Sequence, residues 1–410
     1  MSERPPDQPG NPQPNGPKRL ANELINRDLL VSVLATSMAS IPAFLVGALA
    51  VEMRQSFPIT TTELGLAVTS YYLGAASWAV PSGRVAERFG GVRVLKLTPI
   101  IGSILLAGIA LVTSSWWTVT LLLFPCGMVS AATATASNLF LARRGTPGRQ
   151  GATFGIKQAA VPFASLLGGL AVPALALTIG WRWAFGLAAI LSIATAILVP
   201  RPTQSRAIRR LGHGQALPRI DKVPIVLLAT GIGLGVFSAS GMAAFLVSGA
   251  VHAHIAKGTA GLIAASAGAA TVIVRIASGF LADRRRSSHF SVIATMMIIG
   301  AAGYAVLAIG QNLELGALIL PGAVIALGIG WGWNGLFNFA VIEKHRATPA
   351  RATGMTQLGG RLGGMLGPTI IGVLINHFSY SAGWVFAAVS CAMAAVAVVL
   401  GDRLLTQRAT

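Results

Sequence analysis

Acidic side chains are scarce in this sequence, and none of the 12 lies well inside an apolar run. The six histidines avoid those runs too, so the apolar part of the chain offers no carboxylate or imidazole for acid–base work or metal ligation. There is no His-Glu-x-x-His helix and no phosphate-cradling glycine loop before a lysine and a serine or threonine. Neither catalytic residues, a metal nor a cofactor is therefore expected. Only two cysteines occur, Cys126 and Cys391, both in apolar stretches where a small buried side chain is the ordinary role, and no disulfide is expected. Charge of either sign amounts to 10% of residues against 54% hydrophobic, and the 48 glycines sit largely inside the apolar runs. Soluble domains rarely permit that combination, which points to a bilayer protein.

A helix crossing ~30 Å of hydrocarbon needs roughly 20 mostly apolar residues, because backbone groups in lipid must bond within their own helix. Twelve such stretches can be placed. The first six lie near 29–53, 64–83, 94–113, 118–141, 152–176 and 181–199, and the second six near 223–250, 259–281, 290–310, 315–341, 353–375 and 382–400. An all-α membrane protein follows, with two six-helix bundles at 27–199 and 223–402. A polar, Pro-rich tail precedes them at 1–26, a basic linker at 200–222 joins them, and a short tail follows at 403–410.

A formal charge of +19 invites a nucleic-acid reading, but its distribution decides otherwise. With the amino terminus inside, 25 of the 31 Lys and Arg fall on the inner side and three outside, namely Arg54, Arg182 and Lys257. This asymmetry satisfies the positive-inside rule and places both termini in the cytoplasm. A basic inner face opposite anionic lipid accounts for the charge, and the bilayer, not a nucleic acid, is the expected large partner.

The two halves repeat one another. After the second stretch stands Gly83-Arg84-Val85-Ala86-Glu87-Arg88-Phe89-Gly90, and after the eighth Gly279-Phe280-Leu281-Ala282-Asp283-Arg284, each a glycine followed at the same spacing by an acid and an arginine. Gly155-Ile156-Lys157-Gln158 answers Gly354-Met355-Thr356-Gln357, and Trp183-Ala184-Phe185 answers Trp384-Val385-Phe386. Such repeats let one bundle rock against the other around a midplane site. The glycine–acid–arginine loop resembles that of the major facilitator superfamily. That resemblance implies a secondary transporter working by alternating access, here expected to be monomeric and in the inner membrane of a bacterium. It also implies that the motif acts as a gate, the glycine letting two helices approach while Glu87 and Arg88, or Asp283 and Arg284, latch the cytoplasmic side. The first copy has Glu where the family usually has Asp, and the second lacks the later glycine, Gly90 in the first.

Three cations fall within spans: Lys157, Arg275 and Arg361. Intramembrane charges are costly and mark functional sites by default, yet no acid is at hand to pair with these. An anionic substrate would supply the missing charge, since arginine's planar fork of donors matches carboxylates and similar oxyanions. Helix carbonyls, or snorkelling toward the cytoplasm, are the structural alternative for each. Gln357 lies one turn from Arg361, and Gln158 stands at the matching place in the first half. Trp331, Asn334 and Asn338 share one face of span 10, with Asn138 comparably placed in span 4, and Tyr71 and Tyr72 in span 2 are further candidates to line the path. By position, the arginine in span 8 with a cation in span 11 is similar to oxalate:formate antiporters, and the former alone to monocarboxylate transporters. The run from Gly155 to Pro162 looks like the fifth span of cyanate-type transporters. All three resemblances imply a small mono- or dicarboxylate or inorganic anion as substrate. Export of drugs or other amphipaths driven by protons is the competing expectation, with Glu52 at the outer end of span 1 as its possible proton site. The glycines of span 11 are read as packing residues, and Gly328, Gly330, Gly332 and Gly335 as marks of a bent span 10.

Overall fold

Proline breaks two of the long apolar runs, spans 2 and 5. In the computed structural model, which describes residues 27–142, 150–200, 221–284, 289–345 and 348–407, eleven helices are each long and apolar enough to cross a membrane. The twelfth is span 2, divided into Thr61–Ser77 and Ala79–Phe89. Pro81 has no N–H to offer the Ser77 carbonyl, so the chain leaves helical geometry at Trp78 (φ −90°, ψ 2°) and resumes with Ser82 N donating to Trp78 O at 2.9 Å. Among the described residues there is no strand. The expected tail at 1–26 and linker residues 201–220 lie outside the described residues.

The remaining spans follow the sequence order. Span 1 is Arg27–Ala48 with a further turn at Ala50–Met53, span 3 Gly91–Val112, span 4 Trp116–Ala142 and span 6 Trp181–Leu198. Span 5 is broken at Ala159 between Gln150–Gln158 and Ala160–Ala171 and ends in a π turn, Val172–Ala176. Spans 7, 8 and 9 are Lys222–His252, Lys257–Arg284 and His289–Asn312. Span 10 starts as Gly316–Leu318 and Ile319–Ala323, passes through a π segment at Val324–Ile329 and irregular residues 330–333, then closes as Asn334–Lys344. Span 11 is Pro349–His377 and span 12 Tyr380–Gln407. An even number of crossings brings both ends of the described chain to one face, called here the terminal side, opposite the far side.

Small residues set how closely the spans pack. Gly359, Gly363 and Gly367 recur one turn apart on span 11, and a Cβ on each would run into the carbonyl oxygens of Ala229, Gly233 and Phe237, spaced identically on span 7. The two helices therefore touch backbone to backbone. Gly363→Ala should destabilise by ~1–3 kcal/mol, the scale of an overpacked core, and lower the melting temperature in detergent. Gly354→Ala, whose Cβ meets nothing within 4 Å, should leave it unchanged.

The seam between the first six and last six spans is sealed on the far side. Gly47 of span 1 abuts the backbone at Ala243 and Ala244 of span 7, and Gly65 and Thr61 of span 2 meet Pro368 and Gly372 of span 11. Thr61 Oγ1 donates to Asn376 Oδ1 at 3.3 Å, and Lys257 Nζ lies 3.6 Å from Glu52 Oε1, both across the seam. On the terminal side spans 5 and 8 still touch, where a Cβ on Gly155 would stand 3.0 Å from Gly279 Cα. On spans 2 and 11, by contrast, a Cβ on Gly83 or on Gly354 would meet nothing within 4 Å among the described residues. The close approach expected at Gly83 is thus not made among the described residues, whereas Gly279 makes one.

Candidate functional site: a cationic seam at the middle of the bundle

Arg275 stands eight residues, ~12 Å of helix, from the Asp283 end of span 8 and is 2% exposed. Its Nη1 donates to the Gln158 carbonyl at 2.7 Å and its Nη2 to the Trp331 carbonyl at 3.2 Å. Gln158 has a carbonyl to spare because Pro162, four residues on, carries no N–H. The same proline that breaks span 5 thereby creates the acceptor for an arginine from the other half. Arg275 Cζ also lies 4.4 Å from the centroid of the Trp331 ring, a cation–π stack, and Trp331 touches Phe44 of span 1 with ring centroids 6.3 Å apart. Two donors in this stack, Arg275 Nε and Trp331 Nε1, are buried and have no acceptor. Leaving a buried donor unmade costs ~1–3 kcal/mol, so the pair is a standing demand for an acceptor.

Lys157 is 5% exposed, and its Nζ donates to Asn138 Oδ1 of span 4. On the other half, Gln357 Nε2 donates to Asn338 Oδ1 of span 10. Both pairs join residues 19 apart, so the geometry matches Lys157, not Gln158, with Gln357. The motif alignment, which pairs Gln158 with Gln357, is one residue out of step with these contacts. Asn338 Nδ2 also donates weakly to the Asn334 carbonyl one turn earlier, at 3.4 Å, and the Asn334 side chain is half-buried. Arg361 is half-buried one turn from Gln357, and no ion pair reaches it among the described residues.

The other candidates disperse. Tyr71 is buried and donates to the Ala39 carbonyl of span 1 at 3.0 Å, a contact within the first half. Tyr72 stacks edge-on against it at 5.4 Å and presses on Gly364, at the seam with span 11. Glu87 and Arg88 are exposed, with Arg88 over the Phe89 ring at 5.5 Å, and Gly90 takes a positive φ of 86° as the cap between spans 2 and 3. The side chains of Asp283 and Arg284 lie outside the described residues. Glu52 is far from the cationic seam, committed to Lys257. The sequence places Asn138 only by analogy with span 10; the signal that ties it to Lys157 is the spacing of 19 that Asn338 and Gln357 share.

Comparison with known proteins rests on this framework. The Major Facilitator Superfamily profile matches residues 30–349, most of the chain. No curated protein matches closely enough to count as a relative. Among solved structures, nucleoside transporter NupG, as a point mutant, superimposes with a TM-score of 0.70 at 14% identity, covering 92% of this chain and 100% of its own. A D-xylose-proton symporter gives 0.70 at 15% identity, covering 91% and 96%. A bacterial homolog of the human lysosomal transporter Spinster, in an inward-facing and occupied conformation, gives 0.68 at 16%, covering 95% and 98%. At such identities the likeness is one of fold, and the matched profile carries the family assignment. The kinked twelve-span bundle with its repeated halves is a multi-pass membrane protein, and the chain belongs to the major facilitator superfamily.

Proposed function

We propose that this transporter moves a small organic or inorganic anion, such as a mono- or dicarboxylate, by alternating access. The observation that carries this reading is the Arg275–Trp331 stack, buried at mid-span with two donors that lack an acceptor. Lys157 and Arg361 add positive charge, with no carboxylate paired to them among the described residues. An oxyanion supplies both acceptors and counter-charge, whereas a neutral or cationic solute supplies at most the former. The nucleoside and D-xylose named for two structural neighbours therefore do not extend to this chain. Gln357, Gln158, Asn334 and Asn338 are the neutral groups of the same site, and Tyr72 borders it at the seam. Export of amphipaths coupled to protons would need an acid free to cycle in the path, and Glu52 is instead held by Lys257 on the far side.

The test is a thermal-shift screen of mono- and dicarboxylates, cyanate, nitrate and phosphate, since a compound that binds the native state raises its apparent stability. Stabilisation by one or more anions, and by no neutral sugar or lipophilic cation, is expected. The reverse pattern would return the reading to drug export.

The terminal side is the cytoplasmic side of a bacterial inner membrane in this account, on the strength of the basic residues gathered there. A cysteine at Asn312 should react with an impermeant maleimide applied to intact cells, and one at Ser205 should not. The opposite pattern would invert the topology.

A further inference from the structure

The two amide latches repeat one geometry with one chemical difference. Asn138 and Asn338 occupy equivalent places on spans 4 and 10, and each offers its Oδ1 to a side chain 19 residues later. The first half presents a lysine there and the second a glutamine, one turn from Arg361. We propose that Asn138 and Asn338 are positioning residues that hold Lys157 and Gln357 as matched side chains on the two walls of the substrate path, and that Lys157 is the first half's contact to the anion. The inference rests on the anion reading and adds to it the residue that brings charge to the first wall.

Several observations converge on this assignment. Lys157 is 5% exposed and bonds to a neutral amide, so its charge is oriented but left uncompensated. A lysine free to choose would snorkel toward the terminal side, only ~10 Å away along the helix. An ammonium has three donors, and Asn138 is the one acceptor found for it among the described residues. The second half shows that glutamine fits the same latch, so a structural need alone does not explain a buried charge.

That symmetry supplies the experiment. Anion-induced thermal shifts are measured with acetate, malonate, nitrate and phosphate, each titrated separately, on wild type, Lys157→Gln, Asn138→Asp, Asn138→Ala and Arg361→Lys. Lys157→Gln should keep the melting temperature of the anion-free protein, because its latch copies Gln357 to Asn338, yet raise the apparent Kd for the best anion at least tenfold. Asn138→Asp keeps an acceptor in place but neutralises the lysine, and should do the same. A merely structural latch would leave Kd unmoved in both. Asn138→Ala frees the lysine and should weaken binding less than Lys157→Gln. If wild type binds an anion and Arg361→Lys weakens it, while Lys157→Gln and Asn138→Asp bind like wild type, the positioning role is overturned and the anion reading survives. If none of the four anions shifts wild type, both fall together.

Discussion

Arg275→Lys should weaken anion binding by ~1.5–3 kcal/mol, roughly ten- to a hundredfold in Kd, the scale of a hydrogen bond to a charged group. The substitution preserves charge but not the fork. The guanidinium bonds a carbonyl of span 5 with Nη1 and one of span 10 with Nη2 while stacking on Trp331, and its Nε remains for an acceptor. A single ammonium cannot reach both carbonyls and the stack at once, so the seam between the halves should loosen as well. Arg361→Lys should weaken binding comparably with less effect on stability, since Arg361 is half-buried and no ion pair reaches it among the described residues. The check is Kd by thermal shift together with uptake by reconstituted protein. Unchanged affinity in both variants would remove the arginines from the site.

The second large effect is expected on the far side. Lys257→Glu would set two carboxylates against each other where Glu52 is 5% exposed and both its oxygens lack a hydrogen bond. A buried carboxylate left without its cation is strongly unfavourable, and parting the halves admits water to relieve it. The variant should therefore favour the conformation open on the far side. Thr61→Cys, in a background lacking Cys126 and Cys391, gives a reporter at the seam, because Thr61 is buried there against Asn376. Its labelling by an impermeant maleimide should rise several-fold with Lys257→Glu and return to the parental rate when Glu52→Lys is added. A rate that stays the same throughout would mean that the ion pair does not hold the seam closed.

Much of this architecture is legible in the sequence because lipid leaves few solutions. In lipid, apolar runs of the right length can only be spanning helices, and the repeated glycine–acid–arginine motif already resembles that of the superfamily. The three intramembrane cations are equally plain, since charge is conspicuous where nothing else is charged. What those cations touch is not plain. Arg275 finds a carbonyl freed by Pro162, 113 residues earlier in the chain, and no local pattern connects a helix-breaking proline with an arginine on another helix. The motif alignment pairs Gln158 with Gln357, but Lys157 takes the equivalent bond, because the two asparagines are offset by 200 residues and the motif by 199. Gly83 illustrates a different gap. Its motif implies close packing, yet contacts across a moving seam belong to one conformation at a time, and here a Cβ on Gly83 would meet nothing within 4 Å among the described residues. Tyr71 is plain as an intramembrane aromatic, but the Ala39 carbonyl that its hydroxyl bonds, 32 residues earlier, is not.

Substrate flux is the most direct test. Purified protein in proteoliposomes, loaded with unlabelled malonate, nitrate or phosphate and diluted into the labelled form of the same anion, should show saturable uptake of at least one of them, strongly reduced by Arg275→Lys and by Arg361→Lys. Uptake confined to neutral or cationic solutes and indifferent to both arginines would contradict the anion site outright.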